Sequence, residues 1–188
     1  MNELARLVTN LEIAIRYLLT GVVVTSLLIL SIENGLLVLR WMQDNLVATG
    51  ALTAAMGFIT FSLYRMFFWT LADFIAWKAG LSAPSLYGSE GFLYDRPYSM
   101  FLKWRRDGKA LSEDISGYLT YRWAVSHFSS VSGFSAVIAA SLSQPEAPIS
   151  SYSCYVLAFG WLIVGLGLWQ SFFLFRVERN LCENTDDT

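Results

Sequence analysis

Three stretches of this chain are apolar for about twenty residues at a time and a fourth for about fifteen, and one long polar segment divides them two and two. A helix rises about 1.5 Å per residue, so about 20 residues cross a hydrocarbon core of about 30 Å. Lipid offers backbone amides no partner, which leaves only helices or closed barrels as spanning structures. The runs are continuous and do not alternate with period two, so they read as helices. The expected fold is therefore all-α, a polytopic membrane protein with four transmembrane helices in two hairpins. A basic, aromatic-rich cytoplasmic segment joins the hairpins. Residues 1–188 form a single integral membrane domain, because 55% hydrophobic and 15% charged residues leave no stretch for a separate soluble one.

The expected spans are residues 11–32, 46–65, 123–142 and 152–175, with the cytoplasmic segment over about 66–122. In the first, Arg16 lies near enough to one end to snorkel to the headgroups, and Glu33-Asn34-Gly35 ends the run. The stretch holding Arg40 and Trp41 suits a short segment lying at the bilayer surface. Counting from Leu46 puts Arg65 at the opposite interface, and Met66 to Trp77 continues without Gly or Pro as an aromatic juxtamembrane extension containing Asp73. Gly80, Pro84, Gly88, Gly91 and Pro97 then interrupt regular structure. Ser112, followed by Glu113 and Asp114, has the chemistry of a helix N-cap with acids in the first turn, so one helix is expected from there to about Leu142. Its strictly apolar part, from Phe128, is too short to cross alone; starting the span at Trp123 puts Arg122 at the interface and His127 about one turn inside. Pro145 and Pro148 mark a short turn before the fourth span, which Arg176 and Arg179 close, and the polar tail after them is expected to be disordered.

Orientation follows the Lys and Arg residues. Lys78, Arg96, Lys103, Arg105, Arg106, Lys109 and Arg122 lie in the central segment, Arg6 and Arg16 near the N-terminus, and Arg176 and Arg179 after the last span, while the outer connectors hold only Arg40. The positive-inside rule then puts both termini in the cytoplasm of a multi-pass protein of the inner (plasma) membrane. The start of the chain, with Glu3 and Glu12, lacks the basic region and small-residue cleavage site of a secretory signal, so the first run is expected to remain as a span. A net charge of −2 gives no reason to expect nucleic acid as a partner.

Chemistry is sparse. Cys154 and Cys182 have no short spacing to each other, so neither a disulfide nor a metal site is expected, and no cofactor motif is present. Sustained heptads are not evident. Small residues at helical spacing suggest close packing: Gly50 and Ala54 in the second span, Ser132, Gly133, Ala136 and Ala140 in the third, which makes these two spans the expected packed core. Gly160, Gly165 and Gly167 of the fourth share no single face. His127 stands out as an ionisable residue within the apolar band, although haem ligation calls for a second axial ligand and a proton path for carboxylates at the same depth. The bland reading, a His bonded to a hydroxyl or carbonyl near the interface, needs neither.

The six residues Arg122-Trp123-Ala124-Val125-Ser126-His127 resemble the R-x4-H motif of the HEPN ribonucleases, a family that includes small membrane-anchored accessory proteins of antiviral systems. The resemblance implies Arg122 and His127 as a catalytic pair acting on RNA. The chain departs from the motif in placing Trp123 where a polar residue usually follows the Arg.

Three functions are thus open. The first is a non-catalytic membrane subunit, not an enzyme, whose partners are the lipid bilayer and other membrane-protein subunits or copies of itself. Its docking surface would use Tyr94, Arg96, Tyr98, Trp104, Arg105 and Tyr121, residue types enriched at interface hot spots, within a stretch from Gly88 to Leu111 on the cytoplasmic face. The second is a homo-oligomeric channel, in which the Ser-rich third span lines water. The third is the membrane-anchored ribonuclease.

Overall fold

In a computed structural model, residues 14–81 and 113–183 are described. The regular structure among them is helical throughout: α1 (Ala14–Leu30), α2 (Gly35–Asp44), α3 (Leu46–Lys78), α4 (Glu113–Ser141) and α5 (Ser153–Glu183), with one 3-10 turn, Ser150–Tyr152, leading into α5. α3 and the helix Ser150–Asn180 are long and apolar enough to cross a membrane. α1 is apolar but shorter, and in α4 the serines and His127 dilute the apolar residues.

Glycines set the close approach of two helix pairs, α1 with α3 and α4 with α5. α1 and α3 cross where Gly21 meets Thr53 and Gly57, and Gly57 meets the carbonyl of Tyr17; a Cβ at either glycine would collide with backbone of the other helix. α4 and α5 meet the same way. A Cβ on Gly133 would lie 2.8 Å from the Gly160 carbonyl oxygen, and one on Gly167 would strike Ser130. Glycine alone leaves room for backbones to approach this closely.

The two helix pairs join at both ends. At one end the turn after α4 caps α1: Gln144 N–H donates to Ser31 O at 2.9 Å and Ile149 N–H to Leu30 O at 3.1 Å, while Gln144 Oε1 accepts from Glu33 N–H at 2.7 Å. The last carbonyls of α1 are thereby satisfied, as a helix end requires. At the other end Ala76 of α3 packs with Leu119 and Trp123 of α4 and Leu174 and Phe175 of α5. Arg179 donates to the carbonyl of Gly80, whose φ of +67° ends α3 in the left-handed conformation.

Two π-helical turns sit where the bundle is most aromatic, Ala14–Leu19 in α1 and Arg65–Trp69 in α3. Each is followed by a threonine whose hydroxyl donates to the carbonyl five residues back, Thr20 to Ile15 O at 3.4 Å and Thr70 to Arg65 O at 3.2 Å. The wider turn frees a carbonyl, and the threonine takes it up.

Several expectations change. The surface segment at Arg40 and Trp41 is a helix, α2, with Leu36, Leu37 and Trp41 exposed and Met42 buried. The fourth helix does not end at Phe175: it runs to Glu183, because Leu174, Phe175 and Glu178 are still packed against α4, and what was expected to be tail is ordered helix to that point. The packed pair is not spans two and three through their small residues. Gly50 meets no atom within 4 Å, and α3 touches α4 mainly through aromatic rings, whereas the close backbone seams are α1 with α3 and α4 with α5. The helix expected from Ser112 to about Leu142 is found as Glu113–Ser141.

Candidate functional site

The seam between α4 and α5 is a heptad pattern written in small residues. On α4 the inward positions are Leu119, Trp123, Ser126, Ser130, Gly133 and Val137; on α5 they are Gly160, Val164, Gly167, Ser171, Leu174 and Glu178. Both series step by four and three residues, the spacing that keeps one helix face on a partner. Gly165 lies off this face with nothing within 4 Å, which is why the α5 glycines taken together appear to share no face. At mid-seam the hydroxyls of Ser126 and Ser171 lie 2.6 Å apart, and both reach the Gly167 carbonyl, at 3.0 and 2.9 Å.

Below this point the seam opens into an aromatic chamber around His127. The imidazole is 5% exposed. Four rings wall it: Trp69 at 4.4 Å, Tyr64 at 5.7 Å and Phe61 at 5.9 Å present edge-to-face contacts, and Trp123 lies nearly parallel at 5.7 Å. Phe175 stacks on Trp69 and closes the chamber from α5. Nδ1 of His127 lies 3.5 Å from the Tyr64 hydroxyl, the outer limit of a hydrogen bond. Trp123 turns its indole N–H away from His127 and donates to Glu178 Oε1 at 2.5 Å, with Glu178 only 4% exposed.

The π turn in α3 builds one wall. Above it the inward positions are Gly57, Phe61 and Tyr64. Continued α-helical stepping would bring Phe68, Leu71 and Ile75 inward next. The extra residue in the π turn advances the face by one, so Trp69, Ala72 and Ala76 point in, and Phe68 moves to the flank, stacking on Phe134 at 4.6 Å.

Of the residues singled out from sequence, His127 is buried in this chamber. Arg122 is half-buried on another face, about 140° round the helix from His127 at 100° per residue. Its guanidinium carbon lies 5.8 Å from the Tyr118 ring centroid, its Nε is buried without a hydrogen-bond partner, and its carbonyl accepts from Gln170 Nε2 at 3.2 Å. The structure does not bring Arg122 and His127 to a common open surface. Tyr121 is exposed. Tyr94, Arg96, Tyr98, Trp104 and Arg105 lie outside the described residues. Gly133 packs on Gly160, while Ala136, Ala140 and Ser132 are buried, the Ser132 hydroxyl without a hydrogen-bond partner. Ala54 is half-buried and Gly50 faces outward. Cys154 is free and exposed.

Glu178, Trp69 and the Ser126–Ser171 pair were not anticipated. The spacing Gly160, Gly167, Ser171, Glu178 carries the signal for the seam; the π turn, which brings Trp69 in, leaves none. Chemically the chamber offers an imidazole and a phenol held out of water, and one seam away a buried carboxylate. Among the described residues no cluster of three or more His, Cys, Asp or Glu side chains could hold a metal ion. Comparison with protein-family models, with curated proteins and with solved structures finds no match for this chain.

Proposed function

We propose that this chain is a non-catalytic, four-span subunit of the inner membrane with both termini in the cytoplasm, acting through helix packing with other membrane-protein subunits or with copies of itself. The observation that carries the reading is the outer surface. Val47, Leu52, Phe58, Ile59 and Leu63 of α3 and Tyr155, Phe159, Trp161, Leu166 and Trp169 of α5 are all exposed. An apolar surface of that extent calls for lipid or protein cover. α1 and α4 complete the crossing beside them, α4 with its polar seam turned toward α5 and α1 joined to the outer turn through Leu30 and Ser31. Exposed Gly50, with Ala51 and Ala55 on the same helix also exposed, leaves a lane where a further helix can approach α3 closely.

The serines of α4 favour the subunit reading over a pore through one chain. Ser126, Ser129, Ser130 and Ser135 each donate to a carbonyl of their own bundle. For the ribonuclease reading, the enclosure of His127 among four rings leaves the imidazole no surface on which RNA can lie.

Mass measurement of the intact protein in detergent tests the proposal. Co-purification with other subunits is the expected result, and a homo-oligomeric ring that conducts ions would replace the reading with the channel. A reporter that works only in the periplasm, fused after Thr188, should be silent; strong activity there would invert the topology. The cytoplasmic docking segment, Gly88 to Leu111, is tested by Trp104→Ala with Arg105→Ala, which should release a partner while leaving insertion intact.

A further inference from the structure

We infer that the part of α3 beyond Arg65 has two packing registers, and that the π turn is the hinge between them. In the observed register Trp69, Ala72 and Ala76 face the bundle. Relaxing the π turn to an α turn would move the inward face back by one residue, about 100°, and present Phe68, Leu71 and Ile75 instead.

The two faces are interchangeable in chemistry. Phe68, Leu71 and Ile75 are 49%, 56% and 47% exposed in the observed register, yet each is as apolar as the residue it would replace. Phe68 already lies on the flank, between Tyr64 and Phe134. The exchange brings no charged group inward: Asp73 would move to the place now held by exposed Phe74. An element with two apolar faces side by side is the kind that packs in two discrete ways.

The two registers differ in bulk. Leu71 for Ala72 and Ile75 for Ala76 would force the end of α3 away from Leu119 and Trp123, opening the cytoplasmic end of the bundle. The observed register is held by the packing of Trp69 on Trp123, His127 and Phe175 and by polar contacts beside it. Thr70 Oγ1 satisfies the Arg65 carbonyl that the π turn frees, and Arg179 grips the carbonyl of Gly80 at the end of the helix. The shift would have to release these contacts and the packing of Trp69.

Maleimide labelling of single cysteines tests this, in the full chain with Cys154→Ser and Cys182→Ser. Ala76 is fully buried and Ile75 half exposed in the observed register. A second register populated at the level of ordinary minor states makes Ala76→Cys label at about one-thousandth to one-tenth of the rate of Ile75→Cys. Deleting Phe67 removes the extra residue, so that Trp69 follows Tyr64 at α-helical spacing and the observed face is locked. In that variant the labelling of Ala76→Cys should fall by about tenfold or more while Ile75→Cys is unchanged. An Ala76→Cys rate that the deletion leaves unaltered overturns the inference, because the exposure then comes from general opening. Oxidative cross-linking gives a check that needs no deletion. Leu119→Cys should trap both Ala76→Cys and Ile75→Cys, and trapping of Ala76→Cys alone overturns the two-register device.

Discussion

Trp123 and Glu178, 55 residues apart in sequence, are joined by a hydrogen bond of 2.5 Å from indole nitrogen to carboxylate oxygen within the seam of α4 and α5. It is a bond to a group that is costly to bury, at the level where α5 was expected to have already ended. A bond of this kind to a carboxyl oxygen contributes about 0.5–3 kcal/mol, and the loss of one partner leaves the other buried. A double-mutant cycle of Trp123→Phe with Glu178→Met, each of which removes one partner of the bond, read by unfolding in detergent, should therefore show a coupling of about 0.5–3 kcal/mol. Additivity to within about 0.5 kcal/mol would mean that the two side chains are merely neighbours.

The glycines divide into two groups by what surrounds them. Gly57→Ala and Gly133→Ala place a methyl group against backbone of the facing helix and should each destabilise by about 1–3 kcal/mol. Gly50→Ala and Gly165→Ala add a methyl to open space and should be neutral or stabilising by up to about 1 kcal/mol through helix propensity. Denaturation midpoints of the four single variants compare them directly. Equal effects across the groups would contradict the two seams.

His127 is expected to act chiefly as a ring among rings. His127→Ala empties the space between Trp69 and Trp123 and should cost about 3 kcal/mol, near the lower end for loss of a buried aromatic side chain. His127→Phe refills it and should cost no more than about 1.5 kcal/mol. If the two variants are equally destabilised, polar bonding of the imidazole outweighs its packing.

The turn between α4 and α5, proposed to lie outside, gives a test of both sidedness and the capping of α1. Glu146 is exposed in that turn, so Glu146→Cys with Cys154→Ser and Cys182→Ser should react in intact cells with a maleimide that does not cross the membrane. Gln144→Ala removes the side-chain acceptor for Glu33 N–H and should destabilise by about 0.5–1 kcal/mol, as for an ordinary exposed hydrogen bond. Protection of Glu146→Cys until the cells are opened would place this turn inside.

How far the architecture could be read in advance varied with its physical origin. The helix from Glu113 and the break at Gly80 were legible, because an acidic first turn and a left-handed glycine are local signals. The α4 and α5 seam was written in the chain but in an alphabet of Gly and Ser, which a search for apolar heptads passes over. Gly165 obscured it further by sitting two residues from Gly167 on a different face. His127 was found because an ionisable residue stands out in an apolar run, whereas Trp69 could not be told from Phe67 or Phe68 beside it.

By itself the sequence determined the helical character of the chain and its apolar outer surface, since run length, hydropathy and breakers act within a few residues. Which helices pair, and through which glycines, was decided only in three dimensions, because every small residue in an apolar helix is equally able to face lipid or a neighbour until the neighbour is in place. The placement of Trp69 has the same origin. The inserted residue at Arg65–Trp69 turns the rest of α3 by about 100° with no mark in composition, and packing against Trp123, His127 and Phe175 is what selects that register.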